Sequence, residues 1–291
     1  MRFKGKWTAS FIVAAVLCSA GVNDDEAVVT GRVYPERNDD LAWENEFVAF
    51  RAYGPKTQRR GERGYGYDIF LKRVTRKPVL DMMYAYQLDP NDERTYHKDY
   101  GYGMDCYAVG PTLGAGVTAL LEGDSLLYPW CYDKVDILRD GPRRFEARLT
   151  FAPAVVGGDT VTETRLISLD AGSRLNCTKV VYGGLKHPVE LATGIVLHDE
   201  AGAVTTNPRW VSYVDPTQGP DNGKVFMGIV FAKQPSVTRR LDTVDGKSHV
   251  VGITRYNPGD TLTYYWGYAW DRTDITTLKQ WHDYLDSFMS K

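Results

Sequence analysis

The chain reads as an all-β protein, an antiparallel β-sandwich with a short C-terminal helix. Three observations lead there. Short apolar or alternating segments recur along most of the length with turn-forming residues between them, the pattern of strands joined by turns rather than of alternating strands and helices. Tyrosine is abundant, 19 residues in 291, with 7 Trp, and large aromatic side chains suit the half-buried surface of a sheet. Sustained helical spacing of apolar residues is clear in one stretch, Leu278, Trp281, Leu285 and Phe288.

The first twenty residues stand apart. Arg2, Lys4 and Lys6 precede the apolar run 11–17, and Cys18-Ser19-Ala20 supplies small residues before a cut, the layout of a secretory signal peptide. Leu17, directly before Cys18, disfavours lipid attachment at that cysteine. The remainder, 21–291, is expected to form one β-sandwich domain in the periplasm or outside the cell. Residues 22–36 carry a polar lead-in with a first strand. Residues 42–53 alternate as one strand, with Trp43, Asn45, Phe47 and Ala49 on one face, and Gly54-Pro55 ends it. A charged, glycine-rich loop follows over 56–66, then a short apolar piece over 67–74. Strands are expected at 125–132 and 134–138, with a turn at Asp140-Gly141-Pro142. The clearest alternation runs over 144–151, where Phe145, Ala147, Leu149 and Phe151 point one way and Arg144, Glu146, Arg148 and Thr150 the other. Segments 161–169 and 175–182 form a hairpin around Asp170-Ala171-Gly172-Ser173, and 189–198, 224–232, 249–255 and 261–270 are further strands. Asp274 is positioned to cap the final helix. In the last strand Tyr264, Trp266, Tyr268 and Trp270 share a face, which suits either a sugar platform or, by preference, the core between sheets.

Charge narrows the function. The formal net charge is −2, and becomes −5 without Arg2, Lys4 and Lys6. A mildly acidic chain lacks the clustered basic surface that nucleic acid demands. No segment after the leader is long and apolar enough to span a membrane. Gly110-Pro111-Thr112-Leu113-Gly114-Ala115-Gly116 lacks the Lys-Ser or Lys-Thr of a phosphate loop and reads as a tight turn. No Gly-x-Ser-x-Gly appears. Cys106, Cys131 and Cys177 follow the leader, and in an exported chain a Cys106–Cys131 bond is the favoured pairing. No metal is expected; the acidic residues would suit calcium, but no EF-hand loop is present.

The densest chemistry lies in Tyr96-His97-Lys98-Asp99-Tyr100-Gly101-Tyr102-Gly103-Met104-Asp105-Cys106-Tyr107. Titratable and aromatic groups crowd together there without helical periodicity, as on a site-bearing loop. Aromatic faces with hydrogen-bonding tips suit a sugar, and Trp130 within Tyr128-Pro129-Trp130-Cys131-Tyr132 is a second stacking candidate. His198 ends an apolar strand beside Asp199-Glu200, where it could act as a second base or simply close the strand.

Several motifs resemble a known family. They are Trp43-Glu44-Asn45 with Phe50-Arg51-Ala52-Tyr53-Gly54-Pro55, the 96–105 run, Val109-Gly110-Pro111-Thr112-Leu113-Gly114, and Ile167-Ser168-Leu169-Asp170-Ala171-Gly172-Ser173. The family is an exported bacterial domain of unknown function found among polysaccharide-degradation proteins. The resemblance implies a galactose-mutarotase-like β-supersandwich and a carbohydrate ligand, an oligosaccharide or polysaccharide fragment, and leaves the chemistry open because one fold hosts many reactions.

The leading expectation is β-elimination, of the lyase or dehydratase type, on a uronate-containing oligosaccharide. That reaction needs a base for the C5 proton, an acid for the departing oxygen and a cation for the carboxylate. The catalytic candidates are His97 as base, Tyr100 or Tyr107 as acid, with Asp105 and His198. The substrate-binding candidates are Arg63 on the carboxylate, with Tyr65, Glu44, Tyr128 and Trp130. The alternatives are an aldose epimerase, a glycoside hydrolase drawing on Glu44, Asp68, Asp99 or Asp105, and a non-catalytic sugar-binding protein.

Overall fold

The computed structural model describes residues 29–199 and 202–288; the expected signal peptide lies outside them. Every strand ladder in the described residues is antiparallel, arranged in three sheets. The first follows chain order, β1 (Thr30–Tyr34), β2 (Asp40–Glu44), β3 (Ala49–Ala52), β4 (Asp68–Lys72) and β5 (Gly103–Met104). The second contains β6 (Val117–Glu122), β7 (Ser125–Leu127), β13 (Val189–Val196), β17 (Val237–Asp242) and β18 (Ser248–Tyr256), in the order β17-β18-β13-β6-β7. The third contains β8 (Lys134–Arg139), β9 (Arg144–Thr150), β10 (Ala154–Val156), β11 (Asp159–Asp170), β12 (Leu175–Gly183), β14 (Val204–Thr206), β15 (Trp210–Asp215), β16 (Val225–Phe231) and β19 (Leu262–Trp270). Its order is β14-β15-β16-β19-β12-β11-β9-β8, with β10 added on β11.

Inward faces of the sheets meet in one large core. The 144–151 alternation holds, with Phe145, Ala147 and Leu149 buried. Tyr264, Trp266, Tyr268 and Trp270 are all fully buried, so the aromatic row of β19 is core and not a sugar platform. Trp266 stacks on Tyr67 at 4.4 Å and meets Phe50 edge-on at 4.9 Å. Indole N–H groups this deep need partners: Trp43 donates to Asn176 at 2.7 Å and Trp266 to Thr178 at 2.8 Å.

The expected single strand over 42–53 is instead the hairpin β2–β3. Asn45 breaks it: its side-chain oxygen accepts the amides of Phe47 and Val48 at 2.9 and 3.1 Å, a local turn that competes with the ladder. Its amide nitrogen donates to the carbonyls of Asp170 and Ser173, tying the turn to the β11–β12 hairpin. The hairpin sets β3 in register with β4 so that Arg51 pairs with Asp68. Phe50, Ile69 and Leu71 face the main core, whereas Ala49 and Phe70 join a smaller cluster with α2 (Leu80–Leu88). Helix α2 was invisible in the sequence because its exposed side also carries apolar residues, Ala85 and Leu88, opposite the buried Leu80, Met83 and Tyr84. Glu44 caps it. One carboxylate oxygen accepts the amides of Val79 and Leu80 at 2.8 and 2.9 Å, the other the Lys72 ammonium at 2.6 Å, all in the interior. A negative group at a helix N-terminus is favourable, and both carboxylate oxygens of Glu44 are engaged by the scaffold.

A five-residue helix, α1 (Pro55–Arg59), opens the segment expected as a loop. The strand expected over 125–132 is only β7, and Trp130 beyond it adopts a left-handed backbone, φ 65°. Helix α3 (Leu278–Phe288) docks Trp281 and Leu285 against β16 and β19. Its start is a Thr277–Gln280 capping box: Thr277 Oγ1 accepts the Gln280 backbone N–H, and Gln280 Oε1 accepts the backbone N–H groups of Thr276 and Thr277. Asp274, the expected cap, binds Arg174 instead.

Candidate functional site

The site begins with the Arg51–Asp68 cross-strand pair. Arg51 Nε donates to Asp68 Oδ2 at 3.0 Å, and its Nη2 bonds both Asp68 Oδ2 and, at 2.9 Å, Asp105 Oδ2. Tyr53 adds its hydroxyl to Asp68 Oδ2 at 2.9 Å. Arg51, Asp68 and Asp105 are all buried. One guanidinium shared by two carboxylates is short of positive charge. Burial, and then repulsion by Asp68, pushes the Asp105 carboxyl up to about 6, against the pull of Arg51 and His97.

Asp105 stands just beyond β5, and its backbone fixes His97. The Asp105 amide donates to Tyr96 O at 2.7 Å, and the Asp105 carbonyl lies 2.9 Å from His97 Nδ1. A carbonyl only accepts, so Nδ1 carries the proton and Nε2 is the basic nitrogen of the neutral ring. The His97 ring rests on Tyr96 at 4.7 Å but is exposed to solvent, at the rim of the group rather than in a hollow.

The other flank comes from the second and third sheets. The amide of Gln218, past β15, donates to Cys106 O at 2.9 Å and holds the 105–107 segment there. Tyr107 is buried with its hydroxyl unpartnered, and its ring meets that of His198 edge-on at 5.0 Å. His198 follows β13; its Nδ1 lies 2.7 Å from Oδ2 of the buried Asp215, the last residue of β15. Nδ1–H donates to the carboxylate, which leaves Nε2 free to act as base, and the side chain is 27% exposed, enough to meet a ligand. Burial first, then Asp215 and Asp68, raises the ionisation of Tyr107 well above that of a free phenol, so it is a neutral hydroxyl at pH 7.

Behind His198 lies His249, paired with Val196 across β13–β18 and fully buried. Its Nε2 accepts the Leu113 amide at 3.3 Å, and burial pulls the ring down to about 4. The folded ring stays neutral where the unfolded chain would be protonated. Its contribution is intact above pH 6.5 and lost as pH falls from 6.5 to 4, roughly 3 kcal/mol over that window. Urea unfolding of wild type against His249→Gln at pH 7 and 4 is expected to show a flatter pH slope in the variant.

A second group contains most of the expected binding residues. The Arg63 guanidinium covers Trp130 at 4.7 Å, Tyr65 packs on Tyr128 at 4.6 Å, and Tyr128 on Trp130 at 5.4 Å. The Tyr65 hydroxyl is already used, donating to Thr118 O and accepting from Arg165, both at 2.5 Å. Between Arg63 and Tyr65, a Cβ on Gly64 would fall 2.5 Å from the Tyr53 ring, so the loop lies against the first group. Tyr100 joins neither group: it is exposed, edge-on to Tyr86 at 6.0 Å. Asp99 serves its own turn, bound to Arg73 and to the amides of Gly101 and Gly103. Cys106, Cys131 and Cys177 are free thiols, and Cys131 points at Gly64 O, so the expected Cys106–Cys131 bond is not formed. Arg51, Tyr53 and Asp215 were missed as site residues; the available signal was a charged residue inside an apolar strand, Phe50-Arg51-Ala52, which seldom occurs without a buried partner. Among the described residues no three or more His, Cys, Asp or Glu side chains gather as a metal site.

A family model described as "Domain of unknown function (DUF4861)" matches residues 16–291. The chain belongs to this family. A relative, "Uncharacterized protein P7" of Formosa agariphila, is 29% identical over 291 residues, covering 95% of this chain and 71% of its own. Two solved structures of GH36 alpha-galactosidase variants from Geobacillus stearothermophilus, in complex with 1-deoxygalactonojirimycin and with raffinose, are 11% identical. They superpose with TM-scores of 0.35 and 0.34 over 79% and 77% of this chain. The chain spans about two fifths of their length, 39% and 40%. So loose a likeness leaves the chemistry of this DUF4861 chain to be read from its own residues. Among those described, no helix is long and apolar enough to cross a membrane.

Proposed function

We propose that this DUF4861 protein is an exported carbohydrate-active enzyme that performs β-elimination on a uronate-containing oligosaccharide. One observation carries the reading: His198, oriented by buried Asp215, meets the ring of Tyr107, whose hydroxyl has no partner in the protein. The fixed positions of the two rings support the assignment of His198 as base and Tyr107 as proton donor. In the step itself, His198 Nε2 takes the C5 proton. The electrons of that C–H bond form the C4–C5 double bond, the C4–O bond breaks, and Tyr107 delivers its proton to the leaving oxygen. Solvent then removes the proton from His198 and restores that of Tyr107. Arg63, across the Tyr53–Gly64 contact, is the cation assigned to the substrate carboxylate, and Nε2 of His97 at the rim is assigned to accept from a substrate hydroxyl. His97, first expected as the base, thereby becomes a binding residue.

The hydrolase alternative fits less well. Retaining and inverting glycosidases need two carboxyl groups roughly 5 Å or more apart across the sugar, whereas Asp68 and Asp105 bind the same Arg51 nitrogen in the interior. Asp99 and Glu44 are held by Arg73 and Lys72. The reading is tested by incubating the protein with uronate-containing and neutral oligosaccharides and following the absorbance of unsaturated uronate. The signal should grow with the uronate substrates alone. Cleavage without that chromophore would reject the assignment.

A further inference from the structure

A hollow of about 320 Å³ opens beside the second group, lined among others by Leu120, Tyr128, Trp130, Val161, Glu163 and Tyr182. That volume is at the small end of ligand pockets and suits one ring better than a chain. Its walls are mostly aliphatic and aromatic, but two buried hydroxyls at the wall, those of Tyr128 and Tyr182, have no hydrogen-bond partner. Tyr182 is 3% exposed, and its hydroxyl leans toward Glu163 without a well-formed bond. A buried unpartnered hydroxyl costs roughly 1–3 kcal/mol, which a ligand bringing its own hydroxyls recovers. Trp130 holds a left-handed backbone, φ 65°, a strain of roughly 1–3 kcal/mol that concentrates at ligand clamps. It presents its ring to the hollow while Arg63 stacks on it.

We infer that this hollow binds one uncharged pyranose ring. A sugar ring has an apolar face for Trp130 and Tyr128 and edge hydroxyls for Tyr182 and Glu163, which matches both halves of the lining. Charge selects the neutral sugar. No Lys or Arg lines the hollow, Arg63 reaching only the Trp130 ring, and Glu163 pairs with Arg165 at 2.5 Å, so the lining holds no cation for an anionic ring; burial raises the Glu163 carboxyl against Arg165, so it is a poor anchor for an amine. None of the lining residues takes or delivers the proton in the elimination step; Arg63, assigned there to the carboxylate, reaches the hollow only by stacking on Trp130, so His198→Ala separates the two readings.

Ligand-observed NMR titration of the full chain tests it, with methyl β-D-galactopyranoside, methyl β-D-xylopyranoside, methyl β-D-glucuronide and benzylamine as probes. A neutral glycoside is expected to bind saturably. Trp130→Ala and Tyr182→Phe should each weaken it at least fivefold, and His198→Ala should leave it unchanged. Tyr182→Phe keeps the ring and so decides the matter if Trp130→Ala fails to fold. Tighter binding of the glucuronide or benzylamine, no saturable neutral ligand, wild-type affinity in Tyr182→Phe, or loss of binding in His198→Ala would each overturn the inference. A chain that makes no chromophore but binds the neutral glycoside refutes only the elimination chemistry.

Discussion

A His198→Ala protein is expected to turn over uronate oligosaccharide roughly 10²–10⁴-fold more slowly than wild type, the usual loss on removing a positioned general base. The thermal midpoint should also fall, because the buried Asp215 carboxylate loses its partner, so turnover is compared at a temperature where both proteins are folded. Tyr107→Phe removes one oxygen from an otherwise unchanged ring. Its hydroxyl makes no hydrogen bond within the protein, so the fold loses nothing, while the leaving oxygen loses its acid. Turnover should fall by a comparable factor. His97→Ala is expected to act mainly through KM, since that ring lies at the rim. Steady-state kinetics on one substrate separate the three. Equal activity in wild type and Tyr107→Phe would remove the acid from the scheme.

The second large effect is structural. Arg51→Leu is expected to destabilise the fold by about 3–5 kcal/mol or more in urea unfolding, because Asp68 and Asp105 lose the cation that both contact and remain inside. Removing one member of a buried pair strands the other's charge, whereas removing all charges together does not. A triple variant, Arg51→Leu with Asp68→Asn and Asp105→Asn, should therefore be more stable than Arg51→Leu alone. A single variant as stable as wild type would mean that the network adds nothing to the fold.

What could be read in the sequence was set by how local its causes are. The alternation of β9 and the helical stripe of α3 were legible, because burial on one face writes a period of two or about 3.6 directly into the chain. Helix α2 was not, since the apolar Ala85 and Leu88 on its exposed side erase the contrast with the buried Leu80, Met83 and Tyr84. The β2–β3 hairpin was missed because one side chain, Asn45, closes it, and its apolar neighbours continue the same pattern through the turn. The site divides in the same way. His97, Asp105 and Tyr107 were legible as a crowd within one segment, and His198 as a titratable residue at a strand end. Arg51 meets Asp105 across 54 residues, and Asp215 meets His198 only because β13 and β15 end together. Glu44 misled because a carboxylate beside aromatic residues suggests a sugar contact, while its true partners, the Val79 and Leu80 amides and Lys72, come from later in the chain.

The central claim, proton removal at C5 by the His198–Asp215 pair beside Tyr107, is tested most directly with a uronate oligosaccharide carrying deuterium at C5. The account predicts slower turnover than with the protium substrate and a product that has lost the label to solvent. A product that keeps its C5 deuterium would contradict it.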